Sequence, residues 1–143
     1  MIQKYTIEES IPILHDCVIT KIGIEHDYMV FTFENELYKH ESIQAFHPSA
    51  NSLITRFHLT RFSGMDEIRL YVRKASKRRE SYKRVRREDL LRLPEYKPGL
   101  TYQYHYVGMR EMIIHLCTDK NYVLYVCADE VEFNWIESQK FMA

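Results

Sequence analysis

The chain reads as an all-β protein, an antiparallel β-sandwich or flattened open barrel of about eight strands with one or two short helical turns. Three observations lead there. Eleven Tyr and seven Phe stand against four Gly and four Pro, and aromatic side chains fit a pleated, half-buried surface better than a helix. Apolar and polar residues alternate in short runs, the two-residue period of a strand with one wet face. Residues 17–38 (CVITKIGIEHDYMVFTFENELY) and 112–133 (MIIHLCTDKNYVLYVCADEVEF) also share one layout. Each is an apolar run, a polar turn, a Tyr, and a second apolar run ending on acidic residues, as in a β-hairpin.

The elements follow in order. Thr6 and Glu9 have capping-box spacing, so Thr6 to Ser10 is either a short helix or part of an edge strand. The first hairpin turns at His26-Asp27, where Asp tolerates left-handed backbone. A two-residue loop there sets Ile24 against Met29, Ile22 against Phe31 and Thr20 against Phe33 on the core face. Ile19, Lys21, Gly23, Val30, Thr32 and Glu34 then face the other way. Residues 41–52 are an irregular connection turning at Pro48 to Asn51. Ser52 to Thr60 alternates Leu53, Thr55, Phe57 and Leu59 against Ile54, Arg56 and His58. Glu67 to Arg73 places Ile68, Leu70 and Val72 inward, with Arg69, Tyr71 and Arg73 outward.

The segment Leu93 to Leu100 (LPEYKPGL) carries two prolines and a glycine. It separates two halves, 1–92 and 101–143, of what the length suggests is a single domain over 1–143. Thr101 to Val107 sets Tyr102, Tyr104 and Tyr106 on one side, a stripe that packs on a sheet or lines a cavity. The second hairpin turns at Thr118 to Asn121 and is apolar on both faces. That marks a deeply buried central pair and leaves its register open. Glu130 to Ile136 puts Val131, Phe133 and Trp135 on the core face. The expected core takes in Ile22, Ile24, Phe31, Phe33, Phe57, Leu70, Ile114, Leu116, Leu124, Val126, Phe133 and Trp135.

Charge is where the chain is least even. Lys plus Arg and Asp plus Glu both number 20, yet residues 73–92 (RKASKRRESYKRVRREDLLR) hold ten basic and three acidic residues. The remainder therefore carries ten basic and seventeen acidic residues. A basic segment is set in an acidic body, which speaks to partners rather than to fold. Lys74 to Arg79 is expected as the tip of a hairpin whose return arm is Ser81 to Arg87. A helix over 77–92 is the competing reading, but Tyr82 and Val85 lack an apolar partner at Asp89. Glu88 to Leu91 still suits a single helical turn. Lys77, Arg78, Arg79, Lys83, Arg84, Arg86 and Arg87 form the candidate binding set, with Tyr82 among them.

An unknown acidic protein partner is the first reading of that set. A nucleic acid is the alternative, with the cations on phosphates and Tyr82 stacked on a base. A third reading is that the charges only blunt an exposed sheet edge. No glycine-rich RNA-binding signature, zinc-finger spacing or recognition-helix pattern is present.

Catalytic chemistry has thinner support. In His15-Asp16-Cys17 a thiol stands near an imidazole and a carboxylate, the parts of an activated nucleophile. Strand neighbours point to opposite faces, however, and His15 and Cys17 stand two residues apart. His40, His47, His58, His105 and His115 are scattered, with no HExxH and no paired cysteines, so neither a metal nor a cofactor is expected. A Cys/His hydrolase or metalloenzyme is the remote alternative to a protein that is not an enzyme. Cys17, Cys117 and Cys127 fit free thiols of a reducing compartment. The apolar run Ile11 to Leu14 is too short for a signal-peptide core, and nothing approaches the roughly 18 apolar residues of a membrane span. A cytoplasmic protein with no membrane partner is expected.

The opening LHDCVITKIGIEHDYMVFTFE resembles small bacterial β proteins of the immunity type, which protect a cell by binding a toxin. His15, Asp16 and the hairpin through Glu34 carry the likeness, about a seventh of the chain. The basic segment is no part of it. The resemblance implies a non-catalytic, single-domain binder, and segregated charge would speed and select its encounter with a partner.

Overall fold

The computed structural model describes residues 2–60, 67–75 and 79–138. Their nine strands form one antiparallel sheet: β1 (Ile2–Thr6), β2 (Cys17–Glu25), β3 (Tyr28–Phe33), β4 (Ala50–Leu59), β5 (Ile68–Ala75), β6 (Glu80–Val85), β7 (Leu100–Gly108), β8 (Glu111–Cys117) and β9 (Asn121–Glu137). Helix among the described residues is limited to two single turns, α1 (Glu41–Gln44) and α2 (Arg87–Leu90), and to 3-10 turns at Leu37–Lys39 and Leu93–Glu95.

The long strand β9 closes the sheet on itself. Its first half pairs with β8 along one edge, and with β5 along the other from Ile68–Val126 to Val72–Tyr122. Its second half pairs with β4 and β1. Cys127 sits at the handover on the β4 and β5 side: its N–H donates to Glu67 and its carbonyl accepts from Thr60. The path β9, β4, β3, β2, β7, β8 and back to β9 makes a flattened ring, with β1 and the β5–β6 hairpin attached outside it.

The ring is filled by side chains. Phe31, Phe33, Phe57, Leu70, Ile114, Leu116, Leu124, Val126, Phe133 and Trp135 are all buried, each large apolar side chain contributing about 1.5–3 kcal/mol. Ile24 is half-buried and packs against this core. Edge-to-face contacts join Phe31 to Phe57 at 5.2 Å and Tyr5 to Phe133 at 5.2 Å between ring centroids.

Three bulges set which side chains face inward, and the first two overturn an expected facing. In β2 the pairing shifts between Ile19 and Lys21, so Ile19 rather than Thr20 stands opposite Phe33 and is buried. In β7 the shift lies between Tyr102 and Tyr104. It breaks the expected tyrosine stripe: Tyr102 turns into the ring while Tyr104 and Tyr106 face out. In β9 the register against β4 shifts between His58 and Leu59, opposite Glu130 and Ala128. Leu124, Val126 and Ala128 point inward before it, and Val131, Phe133 and Trp135 after it. An extra residue in one strand reverses the alternation beyond it.

Two local expectations also change. Thr6 to Ser10 is a turn after β1, held by Thr6 N–H to Glu9 Oε1 at 3.2 Å and Thr6 Oγ1 to the same oxygen at 3.0 Å. The capping interaction forms without a helix following it. Val131 to Trp135 belongs to the same strand as the second hairpin's return arm rather than to a separate one.

Candidate functional site

The first half of the sheet presents an outward face built by β7, β8, β9, β5 and β6 in that order. Cross-strand register decides which side chains it shows, because alternate residues face opposite ways. Tyr71 pairs with Arg84 and with Val123, and Arg73 pairs with Tyr82. Ile113 pairs with Tyr125 and with Tyr106, and His115 with Val123 and Tyr104. All of these stand on the face opposite to Leu70, Ile114 and Leu124, which fill the ring. With Arg69, which pairs with Tyr125, five tyrosines and three arginines are collected from five strands.

A groove of about 450 Å³ runs over this face, floored by Ile113, His115, Val123 and Tyr125 and walled by Tyr71, Tyr82 and Tyr106. A second hollow of about 390 Å³, bounded by Tyr104, Tyr106 and His115, adjoins it. The aromatic rings form two groups. On one side Tyr71 meets Tyr125 edge to face at 5.5 Å. On the other, Tyr104 meets Tyr106 at 4.8 Å, and Tyr106 meets His115 at 5.8 Å. Tyr82 and Tyr106 are the most open, at 53% and 54% exposed.

The arginines are held against these rings. Arg84 lies over Tyr71, with Cζ 5.7 Å from the ring centre, and Arg69 lies over Tyr125 at 4.9 Å. Such stacking holds the guanidinium plane against the ring. Arg69 also pairs with Glu111, and Arg73 with Glu80.

The basic hairpin continues the face past the end of β9. The last β5–β9 pair is Val72–Tyr122, so Arg73, Lys74 and Ala75 are paired by β6 alone. A hairpin is present as expected, but Lys74 and Ala75 pair with Ser81 and Glu80 at its expected tip. Its return arm is Glu80–Val85 and the helical turn is Arg87–Leu90. Residues 76–78 of the expected tip lie outside the described residues. The structure divides the candidate set. Tyr82 lines the groove and Arg84 lies over its Tyr71 wall, whereas Lys83 lies on the other face of β6, opposite Val72. Arg79, Arg86 and Arg87 are exposed at the two ends of the strand, Arg86 with Asp89 at 3.7 Å. Lys77 and Arg78 lie outside the described residues. Sequence alternation had turned Arg69, Tyr71 and Arg73 outward, but Tyr104, Tyr106 and Tyr125 gave no such signal because a bulge and a doubly apolar strand concealed their facing.

The His15-Asp16-Cys17 triplet is not arranged for catalysis. Cys17 is fully buried, and burial with the nearby Glu34 charge pushes its thiol up to about 12. A nucleophilic thiol needs the opposite shift. His15 Nδ1 donates to the Gln103 carbonyl at 2.9 Å, and Nε2 faces Asp16 at 3.2 Å. Burial raises the Cys127 thiol as well, Glu111 adding to it. Among the described residues no three His, Cys, Asp or Glu side chains gather as a metal site. Among the same residues no helix is long and apolar enough to cross a membrane. Compared with protein-family models, curated proteins and solved structures, the chain matches none.

Proposed function

We propose that the protein is a non-catalytic binding module of the cytoplasm that holds an acidic partner against its tyrosine-lined outer face and the basic β5–β6 hairpin. One observation carries the reading: the register that pairs Tyr71 with Arg84 and Arg73 with Tyr82 puts the aromatic groove and the basic segment on one continuous surface. Tyr and Arg are the residues that dominate binding surfaces, because they offer large contact area and forked donors at modest entropic cost. The rest of the chain, with seventeen acidic against ten basic residues, repels an acidic partner elsewhere and so orients its approach. The resemblance of residues 15–34 to immunity-type proteins supports a binder rather than a catalyst. An acidic protein and a nucleic acid both satisfy the charge requirement.

The test is retention on heparin and on polyglutamate matrices. A chain of zero formal net charge has no bulk reason to be held by either. The wild type is expected to bind both at low salt and to elute as salt screens the contact. A variant with Lys77, Arg78, Arg79, Lys83, Arg84, Arg86 and Arg87 replaced by Gln is expected to flow through. Its circular dichroism should be unchanged, since the described members of the set are exposed or lie on the edge strand and such positions usually tolerate substitution within about 0.5 kcal/mol each. Passage of the wild type without retention would sink the reading.

A further inference from the structure

We infer that the acidic partner is a single-stranded nucleic acid, whose bases stack on the outer-face tyrosines while its phosphates meet the arginines of β5 and β6. The inference rests on the binding-module reading above and names the partner class. Its first support is the composition of the groove. Aliphatic side chains are few there, Ile113 and Val123 on the floor, and Val123 is only 8% exposed. The surface offered to a ligand is mainly tyrosine rings. Unpaired bases need flat aromatic faces and accept any of them.

The second support is the order of groups across the sheet. Tyr106 on β7 and Tyr82 on β6 stand at opposite walls of one groove, with half-buried Tyr125 between them on β9. The adjoining hollow past Tyr106 shares that ring and His115 with the groove. The path is therefore a furrow with successive rings along it rather than a closed cavity for one small molecule. A flexible strand follows such a path; a duplex keeps its base faces stacked inside and presents only phosphates to the sheet.

The third support is where the cations lie. Arg84 rides on Tyr71, so its charge is fixed at the edge of the stacking surface. Beyond the end of β9 the overhanging part of the hairpin adds Arg73, which stands opposite Tyr82 on the groove face and pairs with Glu80. A backbone bearing one charge per nucleotide is matched by cations repeated along one margin, with bases turned toward the rings. Sequence preference is expected to be slight, since stacking and phosphate contact read no base edge.

The experiment is fluorescence anisotropy of labelled oligo-dT, oligo-rU and a mixed-sequence duplex, titrated with the full chain across a salt series. Tyr82→Ala, Tyr106→Ala and the seven-residue Gln variant are run beside the wild type. Tyr82 and Tyr106 are open to solvent, so their removal leaves the core untouched, which a thermal melt verifies. Single strands are expected to bind at least about tenfold more tightly than the duplex, and each Tyr→Ala change to weaken them by about tenfold. The logarithmic salt slope should be about 0.7 per phosphate contacted and fall in the Gln variant. Equal affinity for duplex and single strand, unmoved by the Tyr changes, overturns the inference and leaves a charge-only surface. So does retention on polyglutamate with no oligonucleotide bound at any salt, which makes the partner a protein while the binding-module reading stands. If neither oligonucleotides nor the polyanion matrices hold the wild type, both fall together.

Discussion

Inside the ring, Tyr102 and His105 form the most consequential polar contact at the scale of single residues. The Tyr102 hydroxyl meets His105 Nδ1 at 2.5 Å, and a backbone hydrogen bond to Ile11 engages the imidazole as well. Both side chains are buried. Burial lowers the His105 pKa, an effect the Ile11 carbonyl partly offsets, and burial holds the Tyr102 hydroxyl well above its usual range. The neutral imidazole suits the site because its bare Nδ1 accepts the tyrosine proton; a protonated ring has no acceptor to offer. A histidine with a lowered folded pKa binds its proton later than the unfolded chain does. Stability is therefore complete above the ordinary value of about 6.5, and it declines as pH falls from there toward the folded pKa. Chemical denaturation at about pH 7.5 and about pH 5 should show the wild type losing more stability than His105→Gln, by about 1.4 kcal/mol per unit of depression. Equal losses in the two proteins would remove His105 as the cause.

At the scale of elements, β9 sets both the core and the binding face, and its mid-strand bulge is what lets it do so. Before the bulge the even-numbered residues Leu124 and Val126 fill the ring, and after it the odd-numbered Val131, Phe133 and Trp135 do. Leu124→Ala and Phe133→Ala should each cost about 2–5 kcal/mol in urea unfolding, as large-to-small core changes do. Glu132→Ala, between two core residues but facing out, should stay within about 0.5 kcal/mol. Comparable losses at Glu132 and Phe133 would mean the alternation is assigned wrongly. The same strand shows what could be read from the sequence. Alternation revealed the inward sets of β4, β5 and the end of β9, because each has one wet face. It did not reveal the bulges at Thr20, Gln103 and Asp129, which have no compositional mark. Val123 and Cys127, on the outward side, are nearly as buried as Leu124, so hydrophobicity alone gave β9 no orientation. The basic hairpin was legible because charge is a local property of the chain. The groove was not, since it is assembled from strands brought together only by the register of β9.

At the scale of the whole molecule, the ring has unequal joints. β4 and β9 pair from Ala50–Glu137 to Leu59–Ala128, whereas β2 meets β7 only from Cys17–Tyr102 to Ile19–Leu100. His15 and Asp16 lengthen the shorter joint. The Asp16 N–H donates to the Tyr102 carbonyl at 2.8 Å, and His15 Nδ1 donates to the Gln103 carbonyl at 2.9 Å. His15 and Asp16 therefore act as a clamp on ring closure. Local opening follows the path that breaks the fewest buried contacts, and parting β2 from β7 opens the ring with the loss of one short ladder. Native-state hydrogen exchange should find the Asp16 and Tyr102 amides opening at lower free energy than those of Leu53, Thr55 and Phe57 on β4. His15→Ala removes one hydrogen bond, worth about 0.5–1.5 kcal/mol. It should speed exchange at the β2–β7 joint by the corresponding factor while the β4 amides keep their protection relative to global unfolding. Identical opening free energies at both joints would show instead that the ring opens only as a unit, with the clamp contributing to global stability alone.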